Sequence, residues 1–361
     1  MAKGAVELDA AGLPRPPSGS TARGIKMSLK HFIGLGVITA AALARPAVAQ
    51  ATEAESVALD EDSASAAPKD KEAAAAPGDD EKNVKQVVAP YSMPWHLRPV
   101  LPSTYVRLDN SFAFYGVNGN TIVDDFTFSY RIIPRLSVLA RLAVTSNSPP
   151  PSALESKSAF GFANPVIGAQ AGFWPAKGVK LGLFLGFALP IGMGGGVDAN
   201  EAAQHATWAA MLARSGFDNP LYMPDYFTVW PGLDLAYVTH GVTVQAEISL
   251  PIMSRARGPQ SEKTTNFDLA MGLHGGYFFF PFLSAGLDLR YQRWLTNALV
   301  VQSDPTGEVK DTATIEPGVR FHVKLSENVT FRPGAALAFG LDNPMSGSHY
   351  KILRLDLPLT F

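Results

Sequence analysis

Apolar and polar residues alternate one by one through most of the chain after residue 103. Residues 179–189 place Val, Leu and Phe on one parity, and residues 353–361 repeat the pattern up to a final Phe. Such period-two alternation predicts β-strands with one apolar and one polar face. About twelve such segments follow one another, many of them at least as long as the ~9–11 residues of a tilted membrane strand. They lie at 104–115, 120–132, 135–146, 159–174, 178–191, 224–238, 241–253, 264–280, 282–296, 309–324, 327–341 and 349–361.

The connections between these segments alternate in length. Tight turns follow every second segment, and the connections between them are mostly longer, polar and rich in Gly, Pro, Ser, Asn and Asp. The connection 116–119 is the short exception on the long side. This sorting is what an even-stranded antiparallel barrel requires when both of its ends lie at one rim, whereas a β-sandwich gives no reason for it. We therefore predict an all-β fold, a single antiparallel transmembrane β-barrel of about twelve strands over residues 104–361.

Composition narrows the class of protein further. Charged residues are 17% of the chain, below the roughly 25% of ordinary soluble domains. No internal stretch reaches the ~18 consecutive apolar residues that a spanning helix needs. The formal net charge of −2 implies no polyanion binding, so no nucleic-acid partner is expected. The chain has no cysteine, which excludes disulfides, thiolate metal sites and cysteine nucleophiles.

An export signal precedes the barrel. From Met27 onward, Lys30 supplies a positive charge, residues 32–44 are apolar, and Ala-Val-Ala at 47–49 forms a small-residue cleavage site. This order of features predicts a removable signal peptide at 27–49. The Pro- and Gly-rich residues 1–26 would be a poor start for a signal, so we interpret 1–26 as a mis-assigned upstream extension and Met27 as the true start.

Residues 50–103 are predicted to be a disordered, acidic, Ala/Pro-rich periplasmic segment. Residues 50–89 carry ten acidic and four basic side chains and almost no large apolar ones, too few to offset the entropy of ordering. The Pro-rich end of this segment is interpreted as a lead-in to the barrel, with Tyr91 and Trp95 at a membrane interface.

Residues 104–361 resemble the porin-like outer-membrane β-barrel proteins of Gram-negative bacteria. In that family the last strand ends in alternating apolar residues and a terminal aromatic, which the barrel-assembly machinery recognises. The resemblance implies this signal for Leu355, Leu357, Leu359 and Phe361. It also implies residence in the outer membrane, contact with lipid and lipopolysaccharide, a small-molecule solute and no cofactor. The oligomeric state stays open.

Aromatic residues near the strand ends are expected to form girdles at the two membrane interfaces. They are Tyr105, Phe112, Phe114, Phe126, Phe128, Tyr130, Phe173, Trp174, Tyr226, Phe227, Tyr277, Phe279, Tyr291, Trp294 and Tyr350.

The opposite parity places charged residues in the interior, because charges facing hydrocarbon are costly. An arginine ladder that guides polar or anionic solutes is one hypothesis. The other is that Arg–carboxylate pairs fill and stiffen the barrel. The loop 192–223 either folds into the mouth as a constriction or caps the outside. The pore-lining candidates are Arg107, Asp109, Asp288, Arg290, Glu316, Arg320, Arg332, Arg354 and Asp356.

No enzymatic motif is found: the chain has no His-x-Ser-Asn-Gly, His-Glu-x-x-His or Gly-x-Ser-x-Gly. We therefore expect a non-enzymatic outer-membrane channel for passive diffusion of small solutes through a mixed-charge lumen, either porin-like or substrate-selective. A transporter of hydrophobic substrates would suit the inward-parity residues Phe160, Phe162, Phe184 and Phe278. The alternative is a closed structural or adhesin-like barrel whose interior is plugged by ion pairs.

Overall fold

Twelve antiparallel strands make up most of the described chain. The computed structural model describes residues 91–151, 157–197, 200–258, 264–304 and 306–361. Four of the strands consist of two segments each, as at β7, where Leu250 and Pro251 interrupt the strand. The strands are β1 (Tyr105–Tyr115), β2 (Gly119–Ile133), β3 (Leu136–Ser148), β4 (Ala159–Phe162 and Val166–Ala176), β5 (Val179–Ala188), β6 (Tyr226–Thr239), β7 (Val242–Ser249 and Ile252–Arg255), β8 (Thr265–Phe280), β9 (Leu283–Trp294), β10 (Asp311–Phe321 and Val323–Lys324), β11 (Thr330–Phe331 and Gly334–Gly340) and β12 (Lys351–Thr360).

The sheet closes on itself. Each strand pairs with its neighbour in sequence, and β12 pairs with β1 from Tyr105 opposite Thr360 to Phe114 opposite Lys351. Closure leaves no row of unpaired backbone groups to face lipid. The predicted twelve-strand barrel is confirmed. The signal peptide and the residues up to 90 lie outside the described part of the chain.

The apolar parity faces outward. In β12, Leu353, Leu355 and Leu357 are exposed, whereas Arg354 and Asp356 between them are buried in the interior. An apolar outer surface around a polar interior is the arrangement of bacterial outer-membrane barrels. The protein therefore has the surface of a membrane-spanning β-barrel, as the sequence predicted.

The predicted girdle is only partly correct. Phe114, Phe126, Phe128, Tyr130, Phe173, Trp174, Tyr277 and Phe279 are exposed on the outer surface. Tyr105, Tyr226, Trp294 and Tyr350 are buried inside, because they occupy the inward parity of their strands or the loop that closes the mouth. Phe160, expected inside, is more than half exposed, whereas Phe184 is buried in the interior as expected.

Within the described residues, helices occur only in the long connections. Helix α1 (Glu201–Ala213) lies between β5 and β6 and is capped by Asn200, whose side chain accepts a hydrogen bond from Ala203 N–H at 3.1 Å. Helix α2 (Leu299–Gln302) and the 3₁₀ turns Asn219–Tyr222 and Glu308–Lys310 are shorter. Among the described residues no helix is long and apolar enough to cross a membrane. Bacterial outer-membrane barrels have long external loops and short periplasmic turns, so we assign the rim with the long connections as the outer one and the rim with the tight turns as the periplasmic one.

Lysine on the outer surface should destabilise the barrel according to its depth. Leu355 lies near the middle of β12, so Leu355→Lys should cost about 2–4 kcal/mol. Leu325, beside a tight turn, is also exposed, and Leu325→Lys should cost at most about 1 kcal/mol. Urea unfolding of the reconstituted protein, followed by gel mobility, measures both. Equal losses at the two positions would contradict the assigned membrane depth.

Candidate functional site in the barrel lumen

Eight of the nine predicted pore-lining residues are buried inside the barrel, and Arg332 is half-buried. Within the described chain Arg332 forms no ion pair, and its backbone N–H donates to the Pro358 carbonyl. The side chains of the other eight meet carboxylates, guanidinium groups or, for Asp288, an imidazole. The buried eight are Arg107, Asp109, Asp288, Arg290, Glu316, Arg320, Arg354 and Asp356.

The charged side chains form a connected network across β1, β9, β10 and β12. Arg354 donates to Glu316 at 2.6 Å and to Asp109 at 3.2 Å. Arg290 also donates to Glu316. Arg354 and Glu316 have almost no exposed surface. These groups therefore form buried ion pairs rather than a free cationic ladder. A role of these residues in solute passage remains a proposal.

A second set of pairs is centred on Asp356. One of its oxygens accepts from Arg107 Nε at 2.7 Å, and the other accepts from Arg320. Both guanidinium groups also donate to backbone carbonyls further inside the barrel. Arg320 Nε donates to the Met93 carbonyl at 3.1 Å, and Arg107 donates to the Trp95 carbonyl.

Residues 91–103 lie inside the lumen, which corrects the prediction that they belong to a disordered lead-in. We call them the N-terminal plug. Trp95, expected at a membrane interface, is almost fully buried, and Arg320 stacks on its ring at 4.4 Å. Tyr91 donates to Gln245 at 2.6 Å. The apolar surface of the plug and its paired polar groups favour the lumen over the interface.

Both ends of the plug lie at the periplasmic rim. At one end, the Tyr91 ring lies 5.3 Å from Lys180 Nζ, close to a tight turn. At the other end, Ser129 Oγ donates to the Ser103 carbonyl at 2.8 Å. The chain between them turns back at His96, whose ring stacks at 6.2 Å on Phe217 of the connection between β5 and β6. The plug is therefore a hairpin inserted from the periplasmic side.

Glycines in the barrel wall make room for the plug. A Cβ atom on Gly334 would lie 2.3 Å from the Trp95 ring, and one on Gly172 would lie 2.3 Å from Pro102. Any side chain there would displace the plug. Similar close contacts join Gly182 to Val100, Gly272 to Leu97, Gly276 to Ser92 and Gly318 to Trp95.

Polar side chains of the wall also hold the plug. Asp288 accepts the Trp95 N–H at 3.1 Å with one oxygen and contacts His274 Nδ1 at 2.6 Å with the other. His274 Nε2 in turn lies 3.1 Å from Ser92 Oγ. These are the residue types of a nucleophilic triad, but Ser92 belongs to the buried plug, so the contact serves to hold it in place.

The connection between β5 and β6 folds into the mouth, and we call its described residues, 189–197 and 200–225, the helical loop. Arg214 pairs with Asp109 and with Asp218, both at 2.8 Å. Arg141 of β3 also donates to Asp218, at 2.9 Å. Burial by itself raises the pKa of Asp218, but the two guanidinium groups outweigh it and hold the pKa below its ordinary value. The helical loop is thus a constriction.

The plug and the helical loop meet and fill the middle of the barrel. His96 Nε2 lies 3.8 Å from Asp218 Oδ2 at their contact. A cavity of about 30 Å³ lies beside this contact. In this conformation the lumen is therefore closed at its centre.

A larger cavity of about 270 Å³ lies at the outer end, and we call it the outer cavity. Helix α1 forms one wall, and the outer ends of β1, β3 and β9 form the others. Its lining contains no Asp, Glu, Lys or Arg. The lining residues are Tyr115, Asn147, Pro149, Pro150, His205, Trp208, Ala209, Met211, Leu212, Gly216, Asn219, Gln292, Trp294, Val300, Val309, Thr312 and Tyr350.

Sequence reasoning missed the plug and the part of the network that the helical loop provides. Neither Arg98, which pairs with Glu247 at 2.7 Å, nor Arg214 lies on a strand, so alternation gave no sign of them. Glycines at inward positions, such as Gly272 and Gly334, were a sign of the plug in the sequence. A barrel filled only by the side chains of its own strands would have larger residues at these positions.

Several solved outer-membrane proteins align with most of this chain at low sequence identity. An outer membrane channel from Pseudomonas putida F1 aligns over 75% of this chain and 100% of its own, at 12% identity and a TM-score of 0.47. The KdgM porin aligns over 71% and 99% at 10% identity, with a TM-score of 0.38. The NanC porin aligns over 71% and 98% at 5% identity, with a TM-score of 0.40. Neither a protein-family model nor a curated protein matches the sequence.

Proposed function

We propose that the protein is a gated, substrate-selective channel that admits small, uncharged, mainly apolar molecules through the outer membrane. The observation that carries this proposal is the outer cavity: about 270 Å³ of space at the external mouth, lined by aromatic and aliphatic side chains and by no Asp, Glu, Lys or Arg. Ligand sites in proteins are mostly apolar concavities with a few placed polar groups. The outer cavity has this character.

The contents of the lumen favour a gated route over permanent diffusion. The plug and the helical loop occupy the centre, so a solute in the outer cavity reaches the periplasm only if one of them moves. The plug is the better candidate to move, because it is a hairpin whose two ends lie at the periplasmic rim. The helical loop is held by two arginines, Arg214 and Arg141, in buried ion pairs. Among the residues of the plug, Arg98 is the one whose guanidinium group pairs with the wall, at Asp234 and Glu247.

The electrostatics of the cavity favour uncharged solutes. A charged solute entering it would lose its hydration and find no fixed counter-charge in the wall, which is unfavourable. The charged network lies deeper, around Arg354 and Asp356, where the charges already have partners. This network therefore supports selectivity against ions more than guidance of anions.

A closed structural or adhesin-like barrel is the second candidate. It is favoured by the completeness of the buried pairs at Glu316 and Asp356, which stiffen the interior. In that case the outer cavity would be a packing defect without a ligand.

Filling the outer cavity should block uptake. Ala209 of α1 lines the cavity, so Ala209→Trp should abolish the protein-dependent uptake of radiolabelled toluene by cells that produce the protein. The matched control is Glu201→Trp on the exposed side of the same helix, which should transport normally. Equal amounts of heat-modifiable barrel in the outer membrane must be shown for both variants.

Planar-bilayer conductance separates the two candidates from an open porin. A gated selective channel should conduct salt poorly while it transports toluene. Large, steady conductance steps would overturn the proposal in favour of an open pore. A silent barrel with no protein-dependent uptake would favour the closed structural barrel.

A further inference from the structure

We infer that the outer cavity binds a single aromatic ring that carries a hydrogen-bond donor, an O–H or N–H group, and no charge. The inference rests on the proposed function of the cavity as a solute site and adds the chemical class of the solute. It is carried by three features of the cavity: its aromatic walls, its volume and an unpartnered acceptor in its lining.

Aromatic rings form much of the wall. The rings of Tyr115 and Tyr350 stack at 4.7 Å with an interplanar angle of 7°. Those of His205 and Trp208 stack at 5.7 Å with an angle of 23°. Trp294 adds a further ring to the lining. Flat, polarisable walls of this kind favour offset or edge contacts with an aromatic ligand.

The volume fits one substituted ring. A buried apolar cavity of ~150 Å³ accepts benzene, and the outer cavity measures about 270 Å³. One ring with a few substituents therefore fits, whereas a long acyl chain would have to extend beyond it.

Asp268 orients two amide side chains in the lining of the cavity. It accepts from Asn219 Nδ2 at 2.9 Å and from Gln292 Nε2 at 2.6 Å. Because each amide nitrogen donates to a different oxygen of Asp268, both NH₂ groups face this carboxyl group. Their carbonyl oxygens are therefore directed away from Asp268.

The carbonyl oxygen of Asn219 has no partner in the described chain. Asn219 lines the cavity and is almost fully buried, yet its Oδ1 accepts no hydrogen bond. A buried acceptor without a partner is unfavourable, and a donor supplied by a ligand removes that penalty. Since Asp268 fixes the amide, the group rejects carboxylate and nitro substituents and selects O–H or N–H groups.

Ligand binding to the purified full-length barrel in detergent tests the inference. The probes are 4-methylphenol, 4-methylaniline, toluene and 4-methylbenzoate, followed by titration calorimetry and by tryptophan fluorescence. Both donor-bearing probes should bind about tenfold or more tightly than toluene, since one hydrogen bond to a buried acceptor is worth at least that factor. The benzoate should not bind.

Asn219→Leu should abolish the preference by lowering the affinity for 4-methylphenol to that for toluene, with toluene binding unchanged. Asn297→Leu, at an exposed position outside the cavity lining, is the matched control and should keep the preference. If Asn219→Leu does not fold, Gln292→Met provides a second test. It removes the other amide that donates to Asp268 and keeps the Asn219 acceptor, so the preference for 4-methylphenol should remain, and its loss would overturn the assignment to Asn219.

The outcomes separate the two proposals. Equal binding of toluene and 4-methylphenol by the natural chain would overturn the donor requirement and leave the proposed function standing. In that case a bound water would be the hydrogen-bond partner of Asn219. Preferred binding of the benzoate would overturn the exclusion of charge. Binding of none of the probes would overturn the proposed function itself.

Discussion

Oxidation of a Ser92→Cys/Gly276→Cys double variant should stop solute uptake, and reduction should restore it. A Cβ atom at Gly276 would lie 2.7 Å from Ser92 Cβ, so a shift of about 1 Å brings the pair to the ~3.8 Å spacing of a disulfide. The disulfide would fix the entrance of the plug to β8. If solute passes only when the plug leaves the lumen, the oxidised protein has no route.

The chain provides a clean background for this test, because its natural sequence contains no cysteine. Toluene uptake by cells is measured before and after a membrane-permeant reductant, and mass spectrometry verifies the disulfide. The single variants Ser92→Cys and Gly276→Cys are the controls and should show no redox response. Undiminished uptake by a fully oxidised double variant would rule out movement of this end of the plug.

Asp356→Ala should destabilise the barrel by about 3–5 kcal/mol, the usual cost of removing one partner from a buried ion pair. The substitution leaves Arg107 and Arg320 without their shared carboxylate in an interior where both side chains are buried. It also loosens the plug, because the same two guanidinium groups hold the Met93 and Trp95 carbonyls. Equilibrium unfolding in urea, followed by gel mobility, gives the loss.

Asp311→Ala is the matched control. Asp311 pairs with Arg293 at 3.2 Å, but the side chains are 33% and 47% exposed at the outer rim. Exposed pairs contribute at most about 1 kcal/mol. If Asp356→Ala costs no more than Asp311→Ala, the lumen around Asp356 is well hydrated. That result would contradict a closed centre.

The strands were predictable because each one faces two different environments. In β12, Leu355 contacts lipid and Arg354 contacts the interior, so the sequence must alternate whatever the neighbouring strands contain. The count of twelve and the position of both rims followed from the same alternation and from the connection lengths. The aromatic residues near the strand ends were placed less well, since Phe160 is exposed and Trp294 is buried on the inward parity of its strand.

The plug was not predictable by the same reasoning. The segment around Trp95 has several prolines and no alternation of apolar and polar residues, a pattern that is typical of an exposed linker. Its burial depends on holes left by glycines of the wall, such as Gly272 and Gly334, which are far from it in sequence. The partners of Arg214 depended likewise on how the helical loop folds. Local pattern carries no information about such contacts.

The position of the two ends of the plug also has a consequence for biogenesis. Because residues 91 and 103 both lie at the periplasmic rim, the hairpin can enter a barrel that has already closed, and no part of the chain has to be threaded through a ring. Pairing of β12 with β1 and filling of the interior are therefore separable events. The strands can close into a barrel in the membrane first. The plug can then enter from the periplasmic side and block the lumen.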